Sequence, residues 1–172
     1  MSRAAAVTFK GTPLTLAGEA IKVGQPAPDF TVYYFEGGLK PIKLSDLKGK
    51  PSIVSVVPSL DTGVCATQTK KFNHELASLG DRVNALTVSL DLPFAQNRFC
   101  GAEGIKSMRV GSDYQNREFG QKFGMLIEEL KLLARGVFVL DKEGKVVYTE
   151  TVPEVTSEPN YDAALSALKK QL

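Results

Sequence analysis

The sequence predicts an α/β protein with a central mixed sheet flanked by helices and an added N-terminal β-hairpin. Three observations predict it. Two apolar, β-branched runs, residues 53–57 and 82–90, are each followed by a segment of helical character. A strong hairpin pattern, 136–140 and 145–150 about Asp141-Lys142-Glu143-Gly144, comes later in the chain. An amphipathic stretch then closes the sequence.

Taken in order, residues 7–16 alternate weakly about Gly11-Thr12-Pro13 and read as the N-terminal hairpin. Gly24-Gln25-Pro26-Ala27-Pro28 is an extended or turn segment before a strand over 29–35. Gly37-Gly38 turns the chain, and 41–44 returns from it. Residues 45–50 give a short turn or one helical turn. The strand over 53–57 leads into a helix running to about Leu79. The strand over 82–90 leads through Asp91-Leu92-Pro93, an acid and a proline in cap-side positions, into a helix that carries Cys100 and stops near Gly101 or Gly104. A short strand over 107–110 and a short helix over 118–123 follow, and 126–134 is ambiguous between periods. The last helix starts near Pro159, with Tyr161, Leu165, Leu168 and Leu172 on one face. Strand, helix, strand, helix, hairpin, helix is the order of a thioredoxin-like fold. At 172 residues, a single domain over 1–172 is the expectation.

Composition narrows the function. Hydrophobic residues make up 43% and charged residues 23%, the balance of a globular protein. A net charge of +2 gives no nucleic-acid footprint. The opening Met1-Ser2-Arg3-Ala4-Ala5-Ala6 lacks a secretory signal's apolar core, and no apolar run approaches the roughly 18 residues of a membrane span. A cytoplasmic protein is therefore expected. Two cysteines, Cys65 and Cys100, are too few for a secreted disulfide scaffold; in a reducing compartment such a pair is redox-active or unpaired.

The chemistry concentrates at Pro58-Ser59-Leu60-Asp61-Thr62-Gly63-Val64-Cys65. This stretch puts a cysteine in the first turn of a helix at the carboxyl edge of the sheet, where backbone N–H groups and the helix dipole favour a thiolate. At 100° per residue Cys65 shares the core-facing stripe with Phe72, Leu76 and Leu79, so a small core residue is the competing reading. His74, nine residues on, faces away with Lys70 and Lys71, which argues against a Cys–His dyad on this helix. One histidine and two cysteines also make a poor metal set. Thr62 is expected to cap the helix, and Pro58 to end the strand and stiffen the loop above the sulfur.

Pro58-x-x-x-Thr62-x-x-Cys65, with Lys71-Phe72-Asn73, Asp91-Leu92-Pro93-Phe94-Ala95, Arg98-Phe99-Cys100 and Ala134-Arg135-Gly136-Val137-Phe138-Val139, resembles the thiol peroxidase subfamily of atypical 2-Cys peroxiredoxins. Gly24-Gln25-Pro26-Ala27-Pro28-Asp29-Phe30 and Thr156-Ser157-Glu158-Pro159-Asn160-Tyr161 fit as well, while 105–133 matches little. The resemblance implies that Cys65 attacks a hydroperoxide and becomes a sulfenic acid. It implies that Thr62 and Arg135 stabilise the thiolate and polarise the O–O bond, and that Pro58 shields the site from water. Cys100 would then resolve the sulfenic acid as an intrachain disulfide after local unwinding, and Gly101 and Gly104 suit a mobile helix end. Arg98 is a candidate for lowering the Cys100 pKa. Thioredoxin is the implied reductant and a homodimer the implied assembly, and no cofactor or metal is needed; an interface including 107–114 is an expectation made apart from the resemblance. A dithiol–disulfide oxidoreductase would want Cys-x-x-Cys, and position 68 is Gln68. A redox-sensing domain using the same two cysteines, or a purely structural domain, are the other readings.

Overall fold

A computed structural model describes residues 1–172. The N-terminal hairpin is β1 (Ser2–Phe9) and β2 (Thr12–Ala17). A second hairpin follows, β3 (Thr31–Phe35) and β4 (Leu39–Lys43), then a 3-10 turn over Leu44–Leu47. The central units are β5 (Ser52–Val56) with α1 (Gly63–Leu76) and β6 (Asn84–Ser89) with α2 (Pro93–Glu103). Next come β7 (Arg109–Ser112), α3 (Glu118–Lys122) and the two-residue strands β8 (Leu126–Ile127) and β9 (Leu132–Leu133). The chain closes with β10 (Gly136–Leu140), β11 (Val146–Thr151) and α4 (Tyr161–Lys169).

Seven strands form one mixed sheet in the order β11-β10-β5-β6-β7-β3-β4, with β5, β6 and β7 parallel and the other neighbours antiparallel. Strand β5 lies inside the sheet and is buried on both faces, which its near-continuous apolar sequence requires. Alternate residues feed two cores. Ile53, Ala85, Val137 and Val139 face α1 and α4, where Phe72, Leu76, Leu165 and Leu168 are buried. Val54, Val56, Leu86, Val88 and Phe138 face the other way, onto Leu14, Leu16, Phe30, Phe119 and Phe123. No helix is long and apolar enough to cross a membrane.

The α/β class and the element order agree with the sequence reading, and the departures have local causes. The N-terminal hairpin is joined by β8 and β9 into a separate four-stranded sheet through the Leu16–Ile127 pair. The ambiguous stretch 126–134 is therefore strand, defined by a partner far away in sequence. Leu172 lies beyond α4 and is 52% exposed, so it does not extend the apolar face, whose buried members are Tyr161, Ala164, Leu165 and Leu168. Within 107–114 the strand lies at Arg109–Ser112, two residues later than expected, between β6 and β3 with Val110, Gly111 and Ser112 buried.

Candidate active site

Parallel pairing of β5 with β6 places the starts of both following helices at one edge of the sheet. The chain leaves β5 through Val57 and Pro58, both buried, and enters α1 at Gly63. Cys65 is the third residue of that helix and is 0% exposed. Arg135 arrives from the other side: Gly136 pairs with Val56 across β10 and β5, which sets the preceding residue beside the Val57–Pro58 turn. The pairing needs glycine at 136, because a Cβ there would stand 2.4 Å from the Glu150 carbonyl oxygen.

Arg135 is 2% exposed and spends its guanidinium on three acceptors. Its Nη2 donates to Cys65 Sγ at 3.4 Å, its Nη1 to Gln68 Oε1 at 3.0 Å and its Nε to the Val155 carbonyl at 2.8 Å. None of the protein's ion pairs involves Arg135. A buried guanidinium without a carboxylate is costly unless another anion neutralises it, and a Cys65 thiolate is the group placed to do so. A second donor, the Ser59 backbone N–H, reaches Cys65 Sγ at 3.5 Å.

Beside this cluster lies a cavity of about 220 Å³, walled by Pro58, Thr62, Gly63, Val64, Arg135, Val155 and Thr156, with Phe9 of the N-terminal hairpin at its rim. The expected residues Pro58, Thr62, Cys65 and Arg135 thus converge. Thr62 needs one correction. It occupies the N-cap position with extended backbone (φ −98°, ψ 150°), but its hydroxyl makes no capping bond. The Thr62 N–H already closes a turn onto the Ser59 carbonyl at 3.1 Å, and the hydroxyl donates to that same oxygen at 3.0 Å.

Cys100 sits in the third turn of α2, half-buried, a free thiol like Cys65. It packs partly against the same core cluster that contains Cys65 and lines a second cavity of about 380 Å³ with Tyr34, Phe35, Gln96 and Met108. Burial pushes its thiol up to about 11. Arg98, the candidate for lowering it, is exposed on another face of α2. The helix ends at Gly104, which adopts the left-handed conformation (φ 65°) and donates to the Cys100 carbonyl. Lys70–Glu103 at 3.3 Å ties the end of α2 to α1. Asn73 of α1 holds the segment just after α2, its Oδ1 accepting from Lys106 N at 3.0 Å and Ser107 N at 2.7 Å.

Two contributors escaped the sequence reading. Gln68 served only to exclude Cys-x-x-Cys, yet it is fully buried. It orients Arg135 while its Nε2 donates to Ser55 Oγ at 2.8 Å. Its position three residues after Cys65, on the core-facing stripe, was the available signal, since a buried amide must find partners. Asp91 read as a helix-start acid, but Leu92 is the N-cap and Asp91 instead accepts from Ser59 Oγ at 2.7 Å and Leu60 N at 2.8 Å.

Known proteins resemble this chain over nearly its whole length. The Redoxin family profile matches residues 22–165. Thiol peroxidase from Bacillus subtilis (strain 168) is 55% identical over 165 residues, covering 96% of this chain and 97% of that protein. Thiol peroxidase from Streptococcus pneumoniae (strain ATCC BAA-255 / R6) is 48% identical, covering 95% and 98%. Among solved structures, a peroxiredoxin-like protein from Aquifex aeolicus superposes with a TM-score of 0.89 at 43% identity, covering 98% of this chain and 99% of the other. The chain belongs to the redoxin family, in its thiol peroxidase branch.

Proposed function

We propose that this protein is a thioredoxin-dependent peroxidase in which Cys65 is the attacking thiolate and Cys100 the resolving thiol. The observation that carries the reading is the buried Arg135, without a carboxylate partner, whose Nη2 lies 3.4 Å from the Cys65 sulfur. The thiolate attacks the terminal oxygen of a hydroperoxide; the O–O bond breaks, Cys65 becomes a sulfenic acid, and water or an alcohol leaves with the proton that arrives. The guanidinium and the Ser59 N–H supply fixed donors where negative charge moves from sulfur towards the departing oxygen. Pro58 excludes water beside the sulfur. Thr62, on the cavity wall, spends its hydroxyl proton on the Ser59 carbonyl, which leaves its oxygen free to accept from the O–H of a bound peroxide. The apolar surfaces of Phe9, Val64 and Val155 suit an organic hydroperoxide as well as hydrogen peroxide.

Resolution joins two sulfurs held on separate, cross-linked helices. A disulfide needs Cα atoms about 4.4–6.8 Å apart, and the route proposed is unwinding of the first turn at Cys65, of the end of α2, or of both. Unwinding also brings Cys100 into water, removing the burial that keeps it protonated. An external dithiol then reduces the Cys65–Cys100 bond through a mixed disulfide. A homodimer in the cytoplasm, with no cofactor or metal, completes the reading.

The test is NADPH oxidation coupled through thioredoxin reductase and thioredoxin, with cumene hydroperoxide as substrate. Turnover by wild type, with none from Cys65→Ser, is expected. Turnover by Cys65→Ser would exclude Cys65 as the nucleophile. A single oxidation of wild type without cycling would point to a sensor or a different reductant.

A further inference from the structure

Asp91 lies between β6 and α2, away from Arg135, yet its carboxylate binds the loop that carries the Cys65 site. Oδ1 accepts from Ser59 Oγ at 2.7 Å; Oδ2 accepts from Leu60 N at 2.8 Å and from Ser89 Oγ at 2.7 Å. The chain of contacts runs both ways from there. Towards the site, Ser59 is the residue whose backbone N–H points at Cys65 Sγ. Towards α2, Ser89 Oγ accepts from Gln96 Nε2 at 3.0 Å, and Gln96 is buried one turn before Cys100. One carboxylate therefore fastens the loop before Cys65 to the entry and the inner face of the helix that bears Cys100.

Building on the cysteine roles above, we propose that Asp91 is a positioning residue with opposite effects on the two oxidative steps. Its bonds to Ser59 and Leu60 hold the Ser59 N–H on the sulfur, which favours attack of the thiolate on peroxide. The same bonds pin the loop before α1 to the β6–α2 connection and restrain unwinding of the first turn of α1, so they delay condensation of the Cys65 sulfenic acid with the Cys100 thiol, the step that expels water and forms the S–S bond. Exposure of the sulfenic acid to a second peroxide, which yields the sulfinic acid, lasts as long as that delay. Asp91 thus sets both the speed of capture and the interval during which over-oxidation competes.

The step rates separate this role from simple support of the fold. Sulfenic acid formation is followed by quenched labelling with dimedone in a Cys100→Ser background. Disulfide formation is followed by acid quench and alkylation in chains that keep both cysteines. Asp91→Asn keeps the shape but loses one acceptor and the charge. It is expected to slow sulfenic acid formation roughly tenfold, the loss of a charge-assisted hydrogen bond, to accelerate disulfide formation, and to raise the peroxide concentration needed to produce sulfinic acid. Ser59→Ala, which removes one of the three bonds, should shift both rates in the same senses by less. Both rates falling together, or both staying at wild-type values in either variant, would overturn the role. Absence of a Cys65–Cys100 disulfide in the oxidised wild type would overturn the cysteine assignment itself, and the role with it.

Discussion

Replacing Arg135 by alanine removes the donor 3.4 Å from Cys65 Sγ and leaves two acceptors, Gln68 Oε1 and the Val155 carbonyl, without their partner. A fixed donor aimed at charge that moves during reaction is worth about 3–4 kcal/mol, or roughly 10²- to 10³-fold in rate. The stability change has terms of both signs. Each orphaned buried acceptor costs about 1–3 kcal/mol, while loss of a buried guanidinium with no carboxylate partner relieves its desolvation. Activity should therefore fall much further than stability. Arg135→Lys keeps the charge but not the planar fork, so one ammonium must replace three directed bonds, and an intermediate rate is expected. The assay is the rate of Cys65 oxidation by limiting cumene hydroperoxide in a Cys100→Ser background, with a thermal melt of each variant. A folded Arg135→Ala variant that oxidises within about threefold of wild type, under 1 kcal/mol of barrier, would refute the assignment.

Gln68→Leu should slow Cys65 oxidation by about tenfold through loss of one buried bond that aims the guanidinium. Gln68→Glu should slow it further, because a carboxylate there competes with the thiolate for Arg135; faster oxidation in stopped-flow would contradict this. Cys100→Ser should consume about one peroxide per chain and then stop in the thioredoxin-coupled assay, whereas sustained cycling would exclude the resolving role. Burial pushes the Asp113 carboxyl up to about 6 from an ordinary 3.8, against hydrogen bonds from Phe119 N and Gly120 N that favour its charged form. Between pH 4 and 6 the folded chain then holds a proton that the unfolded chain has lost, so this group's contribution to stability falls as pH rises through that window. The difference in unfolding free energy between wild type and Asp113→Asn, measured by urea titration at pH 4 and pH 6.5, should shift accordingly; a pH-independent difference would show that Asp113 does not titrate there.

The class of fold was legible because its signals are local. Buried strands such as 53–57 announce themselves by apolar runs, and Pro93 and Gly104 mark the ends of α2 whatever surrounds them. Positions 126–134 were not legible, since two-residue strands carry no period and owe their form to pairing with Leu16. The same limit applied to the Thr62 hydroxyl, where the spacing of a cap was present but the side chain turns back to donate to the Ser59 carbonyl and accepts from no N–H of the helix start.

By itself the sequence determined which cysteine starts a helix at the sheet edge, and through the resemblance it named Pro58, Thr62, Arg135 and Cys100 as its companions. Only the tertiary structure decided that Arg135, seventy residues away, meets that sulfur without a competing carboxylate. It alone showed that Gln68 aims the guanidinium and that Asp91 ties the Cys65 loop to α2. The reason is physical. Helix starts and strand runs are written in neighbouring residues, whereas the neutralisation of a buried charge depends on strand register, here the pairing of Gly136 with Val56, and on which polar groups that register leaves within reach.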